Sequence, residues 1–509
     1  MVKPNILWIV LDTQRADVLS PYRTGDPVTI TPNLQRWAER ATVFDRAIAP
    51  AQWTIPSHAS LFTGEYPSTH QVVQADQELS DRYPTVAEIL ASQGYQTVGF
   101  CNNPLVGILK NGLRRGFHTF YNYGGVLPTR PAAGSRLPHW LAVTLEAYTQ
   151  FWRKLSYPVQ NAFARSDALF QLSLQPWLAP LWSDLVNFKG NTAQSLADVS
   201  RFLLEHSEPD QPFFCFVNLM ETHLPYRPPQ PFLDRFVPYF RENRAARDFL
   251  RQYNREPYRW MAPLPQPLSE LESQVLRDVY IAETAYQDHL LGHVFQTLEH
   301  TGLMDNTLVV VTADHGEGLG EHDFVGHAFV VYEELIRVPL ILRAPGQTHA
   351  ARVTQPVSTR RLFHTVLASA GIPHADVHRL NLLQPDDSEA GTVLSEAFPP
   401  HILIRAMEQR MDQLLHQRAC YATRRALYRQ SVKWVDEGSQ GYQFDLSRDP
   451  LENQASPGHD DQSQELRQLL EALVTQAEQR RASGSRPQTV DLDSDADLIR
   501  RMQELGYLE

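Results

Sequence analysis

The sequence predicts a parallel α/β fold with a doubly wound sheet, and three observations carry that prediction. Strand-like and helix-like segments alternate along most of the chain, as such a sheet requires. Two of the strand-like runs, Asn5–Leu11 and Thr307–Thr312, are apolar or β-branched almost throughout, which marks buried strands. Both empty into polar residues, Asp12 after the first and Asp314-His315-Gly316-Glu317 just after the second. The carboxyl ends of strands are where open α/β sheets bind ligands.

In chain order, the strand Asn5–Leu11 is followed by a helix over Thr31–Arg40. A second helix is expected to start just after Thr54, because Pro56 suits a first helical turn and Gly64 suits a left-handed exit. Helix Thr85–Gln93, strand Gln96–Cys101, helix Asn191–His206, strand Phe213–Leu219 and the long helix Leu268–His300 continue the alternation. Strands Thr307–Thr312 and Pro339–Leu342 and a helix over Thr359–Gly371, with its glycine exit, complete a catalytic domain placed at residues 1–380. Beyond it the composition turns polar. Residues 381–509 are expected to form a small C-terminal α+β subdomain, with a short antiparallel sheet over Ala419–Phe444, a turn at Asp445–Pro450, a helix over Gln464–Arg480 and a polar tail from Pro487 ending in a short helix.

The chain has 509 residues, 42% of them hydrophobic, so it can bury a large core. Its net charge of −12 argues against a general nucleic-acid surface. No run approaches the length of a membrane span, and the start leads directly into the first strand, so a cytoplasmic location is expected. Cys101, Cys215 and Cys420 are isolated and read as buried thiols rather than a disulfide frame. One stretch departs from this acidic background: Pro104–Phe170 holds eight Lys or Arg against two acids, with eleven aromatics. Residues 104–190 are therefore read as a helical insertion over the site entrance, with packing on the catalytic domain as the favoured reading, because aromatics at helical spacing are usually core, and lipid or membrane-surface contact as the functional alternative.

Thr54 is the candidate nucleophile, since a helix N-terminus beside its hydroxyl favours an anion. Asp12, Asp314 and His315 offer oxygen and imidazole ligands to a divalent metal such as Zn, Mn, Mg or Ca. His223 follows the strand Phe213–Leu219, where a general acid or oxyanion donor is useful, and His327 lies in a glycine-flanked loop. Asp323 and His327 stand four apart, but Gly326 weakens a helix there, so one metal is assigned rather than two. His58, Asn103 and Lys110 are candidate substrate contacts.

These residues fall in an ordered set of stretches: Asn5 to Asp17, Thr31-Pro-Asn-Leu34, Thr54 to Gly64 with Tyr66-Pro67 and His70, His223-Leu-Pro-Tyr226, Thr312 to Glu317, and Gly326-His327 through Tyr332-Glu-Glu334 to Pro339. In that order they resemble the sulfatase family of the alkaline phosphatase superfamily. The resemblance implies an alkaline-phosphatase-like fold, and a divalent metal held by Asp12, Asp314 and His315 and bridging to Thr54, with His223 and His327 on the ester group. It also exposes a departure. Formylglycine sulfatases make their aldehyde from Cys or Ser in a Cys/Ser-x-Pro-x-Arg setting, whereas this chain has Thr54 and places His58 where the Arg would stand. Oxidising threonine's secondary alcohol gives a ketone, so the aldehyde route is closed. The expected activity is metal-dependent hydrolysis of small anionic phosphate esters (phosphodiester, phosphomonoester or phosphonate ester) through a covalent phosphothreonine. The alternatives are sulfate-ester hydrolysis without formylglycine and a non-catalytic binding protein.

Overall fold

The computed structural model describes residues 3–481 except 24, 26–27, 125–128, 130, 132–188, 207–210, 257–262, 385–387, 439 and 459, together with 488–489. Its centre is an eight-stranded sheet: β1 (Asn5–Leu11), β2 (Thr42–Phe44), β3 (Gln96–Cys101), β4 (Thr119–Asn122), β5 (Phe213–Leu219), β6 (Thr307–Thr312), β7 (Leu340–Arg343) and β8 (Ala351–Val353). The spatial order is β8-β2-β7-β6-β1-β5-β3-β4. β1 lies between β5 and β6 and is parallel to both, β7 runs antiparallel to its neighbours, and the remaining pairs are parallel.

The sequence of β1 explains the layering. Ile6, Trp8 and Val10 point into one apolar cluster, which they share with Ile55, Ala59, Leu61 and Phe62 of helix α2 (Thr54–Thr63). Leu7, Ile9 and Leu11 point into the opposite cluster, with Leu196 and Val199 of α4 (Thr192–Glu205) and Phe295 and Leu298 of α5 (Glu270–Thr301). A strand apolar on both alternations therefore has helices on both faces, as a parallel sheet demands. Helices α1 (Pro32–Ala38), α3 (Val86–Ser92) and α6 (Leu362–Ser369) match expected segments with trimmed ends. Capping sets two of the starts: Thr85 with Glu88, and Ser269 with Glu272, form reciprocal capping boxes, so the long helix begins at Glu270 rather than Leu268.

Three further differences have physical causes. α2 begins at Thr54 itself, with Trp53 as the N-cap, so the hydroxyl belongs to the first helical residue instead of lying upstream. β7 starts after Pro339, which has no N–H for the ladder and whose carbonyl accepts from Thr312 Oγ1 at 2.8 Å. The C-terminal sheet has strands at Arg424–Arg429, Val432–Asp436 and Gly441–Asp445 as expected, but also an unexpected strand Thr392–Ala397 and helix α7 (His401–Gln417). The expected helical insertion over 104–190 is corrected in its described part, since Thr119–Asn122 pairs in parallel with β3 and so forms the edge strand β4 of the central sheet. The rest of that expectation, with its placement over the entrance, falls largely on 132–188, outside the described residues, as does most of the tail after Pro487. Among the described residues no helix is long and apolar enough to cross a membrane.

The small sheet braces the loop that follows β6. One face packs Val393, Ala426, Tyr428 and Phe444 against Phe324, Phe329, Val330 and Ile336 of that loop; the other packs Leu427 and Trp434 against Leu466 and Leu470 of α8 (Asp461–Arg480). Between them, His322 lies flat on Tyr332 with centroids 3.8 Å apart. Its Nδ1 is 3.0 Å from Glu334 Oε1 and its Nε2 is 3.2 Å from the Glu452 carbonyl, so both ring nitrogens face acceptors, which favours the doubly protonated ring. Burial opposes that charge, but Glu334 outweighs it and raises the His322 pKa. A histidine with a raised folded pKa stabilises fully below its unfolded pKa and loses that contribution as pH rises through the folded value. His322→Gln should therefore lower urea stability more at pH 5.5 than at pH 8.5; equal losses at both would show that the brace is not ionic.

Candidate active site

Parallel pairing of β1 and β6 sets their carboxyl ends side by side, with Val10 opposite Thr312. Asp12 follows one end; Asp314 and His315 follow the other. All three are fully buried, and their ligand atoms lie within 4.8 Å of one another. His315 Nδ1 donates to the Gly316 carbonyl at 2.9 Å, which fixes the tautomer and turns the Nε2 lone pair toward Asp314 Oδ2 at 3.4 Å. Gly316 is required by close approach, since a Cβ there would meet the Glu334 carbonyl oxygen at 2.0 Å.

Electrostatically this is an unbalanced site. Asp12 Oδ1 and Asp314 Oδ2 have no hydrogen-bond partner although both are buried. Burial pushes the Asp12 pKa up to about 6, against the opposing hydrogen bond from Asn103. Burial and then Asp12 push Asp314 well above the usual carboxylate range, while burial and then His327 push His315 well below the usual imidazole range. Two unpaired buried carboxylates beside a neutral imidazole cost several kcal/mol unless a cation joins them. The donor set, two hard oxygens and one nitrogen, fits a divalent metal.

Thr54 Oγ1 stands 3.3 Å from His315 Nε2 and 3.5 Å from Asn103 Nδ2, at the N-terminus of the ten-residue α2. Ser57 Oγ fastens this turn by donating to the Asp314 carbonyl at 2.6 Å, and the Gly64 C-cap takes the left-handed φ of 75° expected of it. His223 and His327 converge on the same place: the ring centroids are 5.3 Å apart, and His327 lies 4.4 Å from His315. His327 Nδ1 meets Glu317 Oε1 at 2.9 Å; burial disfavours its charge, but Glu317 raises the pKa above the ordinary value. Burial, then His327, push His223 down to about 3, so an imidazole shifted toward its charged form stands beside one shifted toward its neutral form.

Thr54, Asp12, Asp314, His315, His223 and His327 thus come together. Asn103 is also present, but its amide is committed to the Asp12 carboxylate, and its Oδ1 caps Leu105 N at 2.8 Å. His58 is fully buried beneath Thr54, with Nδ1 2.9 Å from the Thr54 carbonyl oxygen, so it faces the protein rather than the cleft expected of a substrate contact. Lys110 is exposed. Asp323 pairs with Arg418 at 2.7 Å, and His322 and Asp323 adopt left-handed φ of 55° and 62°, so no helical turn joins Asp323 to His327.

Three contributors were not singled out from sequence. Glu317 stood in the post-β6 motif without a role. Asn218 is a lone amide inside an otherwise apolar strand, a signal that could have marked it. Arg15 bridges Asp17 at 2.8 Å and Glu321 at 2.6 Å while its Nη1 donates to the Glu317 carbonyl at 3.3 Å, bracing the loop from behind.

Comparison with known proteins matches residues 4–372 to the sulfatase family. The uncharacterized sulfatase YidJ of Escherichia coli strain K12 is 25% identical over 385 residues, covering 74% of this chain and 70% of its own length. Choline-sulfatase of Rhizobium meliloti strain 1021 is 25% identical over 394 residues, covering 74% and 69%. Among solved structures, the phosphonate monoester hydrolase of Agrobacterium radiobacter is similar in fold, with a TM-score of 0.64 at 21% identity over 94% of this chain and 96% of that one.

Proposed function

Since the chain belongs to the sulfatase family and is an ester-hydrolysing enzyme, we propose that it cleaves phosphorus esters (a phosphodiester, phosphomonoester or phosphonate ester) through a phosphothreonine at Thr54, with one divalent ion held by Asp12, Asp314, His315 and Thr54. One observation carries this reading: a threonine hydroxyl sits 3.3 Å from His315 Nε2, beside buried carboxylate oxygens that accept no hydrogen bond. The bound ion would lower the pKa of the Thr54 hydroxyl and offset charge on the transferred group. Thr54 Oγ1, its proton released to solvent, attacks phosphorus as the alkoxide, the bond to the leaving oxygen breaks, and the His327 imidazolium gives that oxygen a proton. Water then attacks the phosphothreonine, His327 takes a proton back, and the Thr54–phosphorus bond breaks. Neutral His223 holds a phosphoryl oxygen or the leaving group without competing for the proton. Glu317 keeps His327 charged and oriented.

The substrate class is tested by a metal-supplemented comparison of aryl phosphate mono- and diesters, aryl phosphonates and aryl sulfates. The fastest substrate should be a phosphorus ester. Faster turnover of the aryl sulfate than of every phosphorus ester would select the sulfatase alternative, which the family match and the likeness to choline-sulfatase keep in view.

A further inference from the structure

Both ring nitrogens of His58 are engaged inside the protein. It is fully buried one turn after Thr54 on α2, edge-on to Phe62 and Phe216, with centroids 5.9 and 6.1 Å away. Its Nε2 lies 3.3 Å from Asn218 Nδ2, an amide donor, so Nε2 accepts and the ring proton resides on Nδ1. The amide orientation is consistent, because Asn218 Oδ1 lies on the Cys101 thiol side at 3.9 Å. Nδ1–H therefore donates to the Thr54 carbonyl at 2.9 Å and lies 3.4 Å from Asp314 Oδ2. A single imidazole thus spans the peptide of the residue at the N-terminus of α2, a carboxylate at the end of β6 and an amide from inside β5.

We infer that His58 is a positioning residue which, through Nδ1–H, holds the backbone of Thr54 in register with Asp314. This rests on the reading of Thr54 as the nucleophile. In this role the imidazole sets where the hydroxyl stands and makes no contact with the ester. The donor position is the essential feature. An asparagine side chain places its amide nitrogen near the site of Nδ1, a glutamine places its own near Nε2, and a leucine fills the space with no donor at all.

The test compares His58→Asn, His58→Gln and His58→Leu on the aryl ester that the parent cleaves best. Metal content and thermal midpoint are recorded for each. His58→Asn should keep kcat within about threefold, while the Gln and Leu variants should lose on the order of 30- to 100-fold in kcat at nearly unchanged KM, as expected when a reacting atom is displaced by a fraction of an ångström. A loss appearing mainly in KM would make His58 a substrate contact and overturn the inference. Equal behaviour of the Asn and Gln variants, whether active or inactive, would reduce His58 to packing and overturn it as well. If the Gln and Leu variants do not fold, Asn218→Ala supplies the second arm, compared at equal metal content because Asn218 also hydrogen-bonds Asp12: it should lower kcat by a clearly larger factor in the parent than in His58→Asn, whereas equal factors in the two backgrounds contradict the inference. Thr54→Ala serves as the control: retained activity there defeats the nucleophile reading itself, while a dead Thr54→Ala with indistinguishable Asn and Gln variants defeats only the role of His58.

Discussion

Thr54→Ala is expected to abolish turnover while leaving a folded protein that still takes up metal. The hydroxyl makes no capping bond at the start of α2, where Trp53 is the N-cap, and alanine is the better helix former, so the helix should persist. Asp12, Asp314 and His315 stay in place as ligands. What disappears is the atom that attacks phosphorus. The loss should appear in the chemical step, at least about 10³-fold in kcat, because removing a nucleophile leaves only the binding and electrostatic parts of catalysis. A variant that keeps the parent rate would exclude covalent catalysis at this residue and favour direct attack by water.

Asp314→Ala should have an effect of similar size by a different route, through loss of the metal. Elemental analysis should find the parent loaded and the variant empty; equal metal content in both would refute the ligand assignment. Stability provides an independent reading. Burial and the Asp12 charge hold the Asp314 pKa well above its ordinary value. For a carboxyl group raised in the folded state, the metal-free protein loses stability as pH rises from the unfolded pKa toward the folded one. Near neutral pH the metal-free Asp314→Ala protein should therefore melt no lower than the metal-free parent. Added metal should raise the melting temperature of the parent alone, by an increment equivalent to about 2.7 kcal/mol at a hundredfold excess over Kd.

How much of this was readable from sequence depended on what kind of interaction sets each feature. β1, β3, β5 and β6 match the expected spans residue for residue. These are the central strands, buried on both faces, and their apolar runs are bounded by polar residues. β2, β4 and β8 are short segments near the sheet edges whose strand character comes from the neighbour they pair with, a contact that local composition does not encode. Asp12, Asp314, His315 and Thr54 were legible because each stands where an element ends or begins. The Glu317–His327 pair was not, since it closes across a ten-residue loop shaped by Arg15 and by the C-terminal sheet. His58 shows the remaining limit. Helical spacing put it one turn from Thr54, but which way that face of α2 turns is decided by packing of Phe62 and Phe216 against it.

The central claim is that Thr54 carries the phosphoryl group during turnover. Acid quench of the metal-loaded enzyme with a phosphorus ester in excess, followed by peptide mass spectrometry, tests it directly. A single phosphate on the peptide containing Thr54, absent from the Thr54→Ala protein, is the predicted result. Full turnover with that peptide unmodified at every quench time would contradict it.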